Sequence, residues 1–191
     1  QNMSISPSTP SLQVTISSKQ ILSISLPIAL AIMVPQVNFV INNIFLGALS
    51  AEALAIGGII GVYYLIFGVM GQGLNNGLQA LISRRAGENR IDEIGVLFSQ
   101  GVIISLFLSA VGILFTYFIA PSIFHSVLHD ARRAEIVIEF LKIRIWGIPF
   151  LFIYQMRNAL LVGTNQSKFL IIGTATEAIF NIFFDYSLIF G

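Results

Sequence analysis

The chain contains no cysteine. That excludes a disulfide framework and any thiolate-held metal centre. Histidine is almost as scarce. His125 and His129 are the only two, and although i, i+4 histidines can bind zinc on a helix, no third ligand lies near them; they read as an interfacial loop pair. Charge is thin as well: Asp, Glu, Lys and Arg make up 10% of the 191 residues, against roughly 25% in a soluble domain. So few charges cannot cover a soluble surface. Ten Lys and Arg against nine Asp and Glu leave a net charge of +1, which lacks the basic excess a nucleic-acid partner would require. No secretory signal peptide and no nucleophile–base or metal set is present, so no enzyme class is supported.

What the chain has instead is apolar length. Hydrophobic residues make up 55% of it, with a mean hydropathy of +0.86. Five hydrophobic spans follow one another: about Ile21 to Leu46, Ala53 to Ser83, Ile94 to Ile119, Ala134 to Val162, and Phe169 to Phe190. Each exceeds the roughly 20 residues that cross a hydrocarbon core, and none shows the two-residue alternation of a strand. Short polar links separate them at Gly47–Glu52, Arg84–Glu93, Ala120–Arg133 and Gly163–Lys168. The first 18 residues, rich in Ser and Thr with Pro7 and Pro10, read as a disordered tail; residues 19–191 read as one helical membrane unit. The chain starts at Gln1 and ends at Gly191 directly after an apolar helix, which leads us to expect a fragment. Lys19, Arg84, Arg85, Arg90 and Lys168 on one side against Arg132 and Arg133 on the other slightly favour a cytoplasmic N-terminus.

Polar side chains inside these spans are the candidates for chemistry. In the last span Thr174, Glu177, Asn181 and Asp185 are spaced three, four and four, which puts them on one helix face. Carboxylates are costly in a membrane and usually face a bundle interior or a water-filled cavity, where they handle ions or protons. The first span carries Gln36, Asn38, Asn42 and Asn43 after Pro35. Pro27 and Pro35 delete the helix hydrogen bonds to the carbonyls of Ser23 and Ala31, so the helix can bend there. The second span carries Gln72, Asn75, Asn76 and Gln79, and the fourth, interrupted by Pro149, carries Gln155 and Asn158. Such amides line a cavity or glue helices together. Glu135, Glu139, Lys142 and Arg144 read as an interfacial face, and Arg157 as a side chain that snorkels to the surface. The glycine-rich Gly71–Gly77 run, GQGLNNG, lacks the lysine and strand context of a phosphate loop.

Five segments, in order, resemble the multidrug and toxic compound extrusion (MATE) transporters: SLPIAL around Pro27, NNIFLGALSAEALA at Asn42–Ala55, GQGLNNGLQALISRRAGEN at Gly71–Asn89, WGIPF at Trp146–Phe150, and NIFFDYSLIFG at Asn181–Gly191. The resemblance implies an all-α integral membrane fold, the five helices being the first five of a twelve-helix, two-lobed transporter in a plasma or inner membrane, with the C-terminal lobe missing. It implies export of organic cations or other amphiphiles in exchange for Na+ or H+, with no further cofactor. By the same resemblance Asn181 and Asp185 match the family's helix-five pair and would hold Na+ if sodium is the coupling ion, Asn158 matches a helix-four cavity asparagine, and Pro27 the helix-one bend. Asn42 stands where the family pattern has Asp; a neutral amide cannot exchange a proton, so coupling in this lobe would rest on Asp185, with Glu177. Asn38 joins them as a candidate ligand. A lipid-linked oligosaccharide flippase of the wider superfamily and a non-transporting membrane scaffold or receptor are the alternatives.

Overall fold

The computed structural model describes residues 18–190; the tail expected over residues 1–18 lies almost entirely outside them. The side chains of Lys19, Gln20, Ile24, Asp185 and residues 188–190 also lie outside the description. Every described element is helical: α1 (Ser18–Leu49), α2 (Ala51–Gly87), α3 (Ile91–Phe118), α4 (Ala120–Val127), α5 (Ala131–Arg144), a 3₁₀ turn (Ile145–Gly147), α6 (Ile148–Gly163) and α7 (Lys168–Phe190). The stretches Ile21–Leu49, Ala51–Gly87 and Ile91–Phe118 are each long and apolar enough to cross a bilayer by themselves. α5, the 3₁₀ turn and α6 together cover the fourth apolar span of the sequence, and α7 covers the fifth.

The breaks are tight and chemically explicit. Ser50 alone separates α1 from α2, and its hydroxyl caps α2 by accepting from the Ala53 amide at 2.9 Å. Asn89 (φ 59°) and Asn165 (φ 59°) take the left-handed conformation that ends a helix, after α2 and α6, a conformation Asn tolerates better than most residues.

Two sequence expectations are corrected. The fourth span is not one helix. Pro149 has no N–H to give to the Ile145 carbonyl, so the chain tightens into a 3₁₀ turn whose Ile148 amide donates to that carbonyl instead. The link Ala120–Arg133 is not merely polar: it folds its first half into α4, with Pro121 in the first turn. α4 buries Ala120 and Phe124 against Ile60, Val137 and Leu141.

α2 is the spine. It contributes Ile60 to the cluster under α4, Phe67 to a second with Ile145, Ile148 and Phe152, and Leu78 and Ile82 to a third with Met156 and Ala159. Close approach is built in: a Cβ on Gly112 of α3 would come 2.7 Å from the Phe67 ring. The buried hydroxyls of Ser105, Ser109 and Thr116 donate to their own helix's carbonyls at 2.7–2.8 Å, and Thr116 also pairs with the Tyr63 hydroxyl at 2.7 Å. α1 packs most extensively on α7 and less on α2. Among the described residues, no side chain of α1 or α7 belongs to the three core clusters.

Candidate functional site

α1 and α7 run side by side, and a cavity of about 470 Å³ opens where they meet α2 and α6. Its wall is rich in amides. α1 supplies Gln36, α2 supplies Gln72, Asn75, Asn76 and Gln79, and α6 supplies Gln155 and Asn158. Among the described residues, no charged side chain lines it. Pro35 and Ala31 also border the cavity, which puts the carbonyl that Pro35 leaves without a helix donor at its edge. The Tyr154 hydroxyl, on the same wall, shares a 3.2 Å hydrogen bond with Thr174 of α7.

A second cavity, of about 320 Å³, lies toward the Leu49 end of α1 between α1, α2 and α5. Asn42 and Asn43 line it from α1 and Arg144 from α5, among apolar side chains such as Phe39, Ile60 and Phe140. The Asn43 amide donates to the Phe39 carbonyl at 2.8 Å, within its own helix.

The amides do not act as interhelical glue. Among the described residues, the bonds that Asn and Gln side chains make are Asn43 to Phe39 and Gln72 to Asn76, both within one helix. The Oδ1 atoms of Asn38, Asn42, Asn75 and Asn158 are buried without a hydrogen-bond partner. A buried acceptor left unpaired costs about 1–3 kcal/mol. Asn75 and Asn158 thus bring two unpaired oxygens to the larger cavity, and Asn42 brings one to the smaller.

The structure divides the sequence candidates. Asn158 and Pro35 border the larger cavity, and Pro27 is buried in α1 beside Ile28, which also lines it. Asn42 lines the smaller cavity instead. Asn38 is 8% exposed and lies between the two sets on α1. Asn181 is half-buried on α7; Glu177 is exposed on the same helix and has the Tyr154 hydroxyl as its hydrogen-bonding neighbour. The backbone of Asp185 belongs to α7, and its side chain lies outside the described residues. Ile28 and Leu170 border one cavity.

Arg144 and Arg157 each meet a neighbouring helix. Arg144 lines a cavity rather than only an exposed face. Arg157 lays its guanidinium over Gly173 of α7. Neither was legible from spacing, because each depends on which helix is the neighbour. The expected loop pair is split: His125 belongs to α4, with its Nε2 3.4 Å from a Glu135 carboxylate oxygen, and His129 lies beyond that helix, both exposed.

The MatE family model matches residues 27–187, which include both cavities and the α7 stripe. The chain belongs to the MatE family. Similar proteins include the probable multidrug resistance protein NorM of Synechocystis sp., 25% identical over 178 residues that make up 91% of this chain and 38% of that protein. The multidrug resistance protein MdtK of Cronobacter sakazakii is 28% identical over 148 residues, 75% of this chain and 32% of that protein. This chain therefore spans well under half the length of the curated relatives it matches. Two solved folds superpose well. One is an outward-facing multidrug resistance MATE transporter of the MOP superfamily, with TM-score 0.79 and 21% identity over 91% of this chain and 39% of that one. The other is a MOP superfamily transporter from Pyrococcus furiosus, with TM-score 0.82 and 21% identity over 96% of this chain and 42% of that one. The fold expected from the sequence, an all-α membrane lobe of the MATE type, is the fold observed.

Proposed function

We propose that residues 19–191 form the N-terminal lobe of a MATE-type secondary antiporter that exports organic cations or other amphiphiles in exchange for Na+ or H+. The observation that carries this reading is the amide-lined cavity with the buried, unpaired oxygens of Asn75 and Asn158 at its wall. Carbonyl oxygens replace the water that a cation sheds on entering a membrane, and they do so without the cost of burying a fixed counter-charge. The exchangeable charge comes from α7, where Asp185, with Asn181 one turn below and Glu177 beyond, sits on the helix that packs along α1. An ionised Asp185 holds the cation, and a proton on the same group releases it. Competition of two cations for one carboxylate is sufficient for exchange. Pro27 and Pro35 supply the bending points by which α1 follows the change of charge.

The test uses the full-length transporter in liposomes with an imposed Na+ or H+ gradient and ethidium as the fluorescent cation. The expected result is gradient-driven ethidium movement that Asn158→Ala and Asp185→Asn each reduce at least tenfold at equal protein level. Movement that ignores the gradient, or that both variants leave unchanged, refutes the reading.

A further inference from the structure

Among the described residues lining the cavities between α1, α2 and α6, between α2 and α3, and between α1, α2 and α5, only Arg144 carries a charge. Its Cζ lies 4.7 Å from the centre of the Tyr64 ring, and among the described residues no carboxylate lies within 4.0 Å of it. The ring fixes the guanidinium from one side and leaves its donors unmatched. Around it the wall is apolar, from Phe39, Leu46, Ile56, Ile136 and Phe140, with the amides of Asn42 and Asn43 beside them.

The level of this site is set by its neighbours. Lys142 and Trp146, two residues to either side, both engage Tyr117 at the end of α3: the Tyr117 hydroxyl donates to the Lys142 carbonyl at 3.1 Å, and the Trp146 indole donates to that hydroxyl at 3.1 Å. Tyr and Trp gather at membrane interfaces. The cavity thus has a fixed positive head at the interface and an apolar body reaching along α1 and α2.

We propose that this second cavity binds an anionic amphiphile, its carboxylate, sulfonate or phosphate head on Arg144 and its apolar part against Phe39 and Ile136. The planar guanidinium suits an oxyanion through paired N–H donors, and Asn42, where a carboxylate would repel such a head, presents a neutral amide. This binding site does not depend on the export reading, since it needs neither a gradient nor the α7 carboxylates.

Binding is measured on the full-length protein in phosphatidylcholine nanodiscs with two dansyl probes of opposite head charge, 11-(dansylamino)undecanoate and dansylcadaverine. The undecanoate should bind saturably, and Arg144→Gln should weaken it about tenfold or more while Arg144→Lys retains part of the affinity. Ile136→Trp, which keeps the charge and fills the apolar part, should also weaken it. Lys142→Gln, two residues away and outside the cavity lining, should not. Replacing part of the phosphatidylcholine by phosphatidylglycerol distinguishes the natural source. Competition with the undecanoate identifies a lipid headgroup, and unchanged binding identifies a free solute. Equal binding by wild type and Arg144→Gln, with both folded by size-exclusion and thermal melting, overturns the proposal, as does a preference for dansylcadaverine.

Discussion

The guanidinium of Arg157 lies so close to Gly173 that a Cβ on the glycine would come 2.7 Å from Nη1. Gly163 stands in an equally tight place, but against Ile82: its Cβ would meet Cγ2 at 2.7 Å and the branched Cβ at 3.0 Å, with the Gln79 carbonyl at 3.4 Å behind. The far end of an arginine can swing aside, whereas the stem of a buried β-branched side chain cannot. Gly173→Ala is therefore expected to cost under about 1 kcal/mol and Gly163→Ala about 1–3 kcal/mol. Thermal melting of the two variants side by side checks the order.

Asp185→Asn keeps size and shape and removes the exchangeable charge of α7. Ethidium efflux should fall to background with unchanged membrane expression. Glu177→Gln, on the same stripe but exposed, should lower efflux less. Equal loss in both variants would shift the coupling role toward Glu177.

Restoring a carboxylate on α1 by Asn42→Asp gives a result that depends on the neighbours. Asn42 shares its cavity with Arg144 and not with Asn158. An adjacent guanidinium favours the ionised form of a carboxylate. The new Asp should stay charged through the neutral range, so the pH optimum of transport should hold steady. In the double variant with Arg144→Gln, that restraint is gone and the optimum should move. A pH–rate profile of the pair measures this.

At the α2–α3 turn, Glu88 accepts from Arg84 Nε at 3.0 Å and from Arg85 Nη1 at 2.8 Å. Those bonds, Arg84's first, hold its carboxyl below the usual carboxylate range. A group depressed on folding stabilises the fold above its unfolded pKa and loses that contribution as pH falls through the folded value. The melting temperature should therefore drop as acid protonates Glu88. Glu88→Gln should lower it slightly at neutral pH and flatten the acid side of the curve. The effect is small because the turn is open to solvent.

Much of this was legible in the residues. Apolar length announced an all-helical chain of long spans, but the break of the fourth into two helices at Pro149 was not read from it. What was not legible depends on partners. α4 hid in a polar link because its four apolar residues, Ala120, Ile123, Phe124 and Val127, fill barely two turns, too short a run to announce a helix. That Asn42 and Asn158 line different cavities was not legible either, since spacing tells a residue's face but not which helix the face meets. The same blindness hid Arg144, whose place in a cavity is set by α1 and α2 rather than by its own helix.

The pairing of α1 with α7 has a mechanical meaning. The three apolar clusters are built from α2 to α6, and the larger cavity lies on the seam between that block and the α1–α7 pair. Sliding or tilting the pair as a unit would leave every described cluster intact, while the two cavities that α1 lines change size. The lobe is thus a stator with one movable jaw. Pro35 lies on the jaw's inner edge, and what such a movement would work against is the packing of α1 on α2 and the Tyr154–Thr174 bond rather than the three clusters.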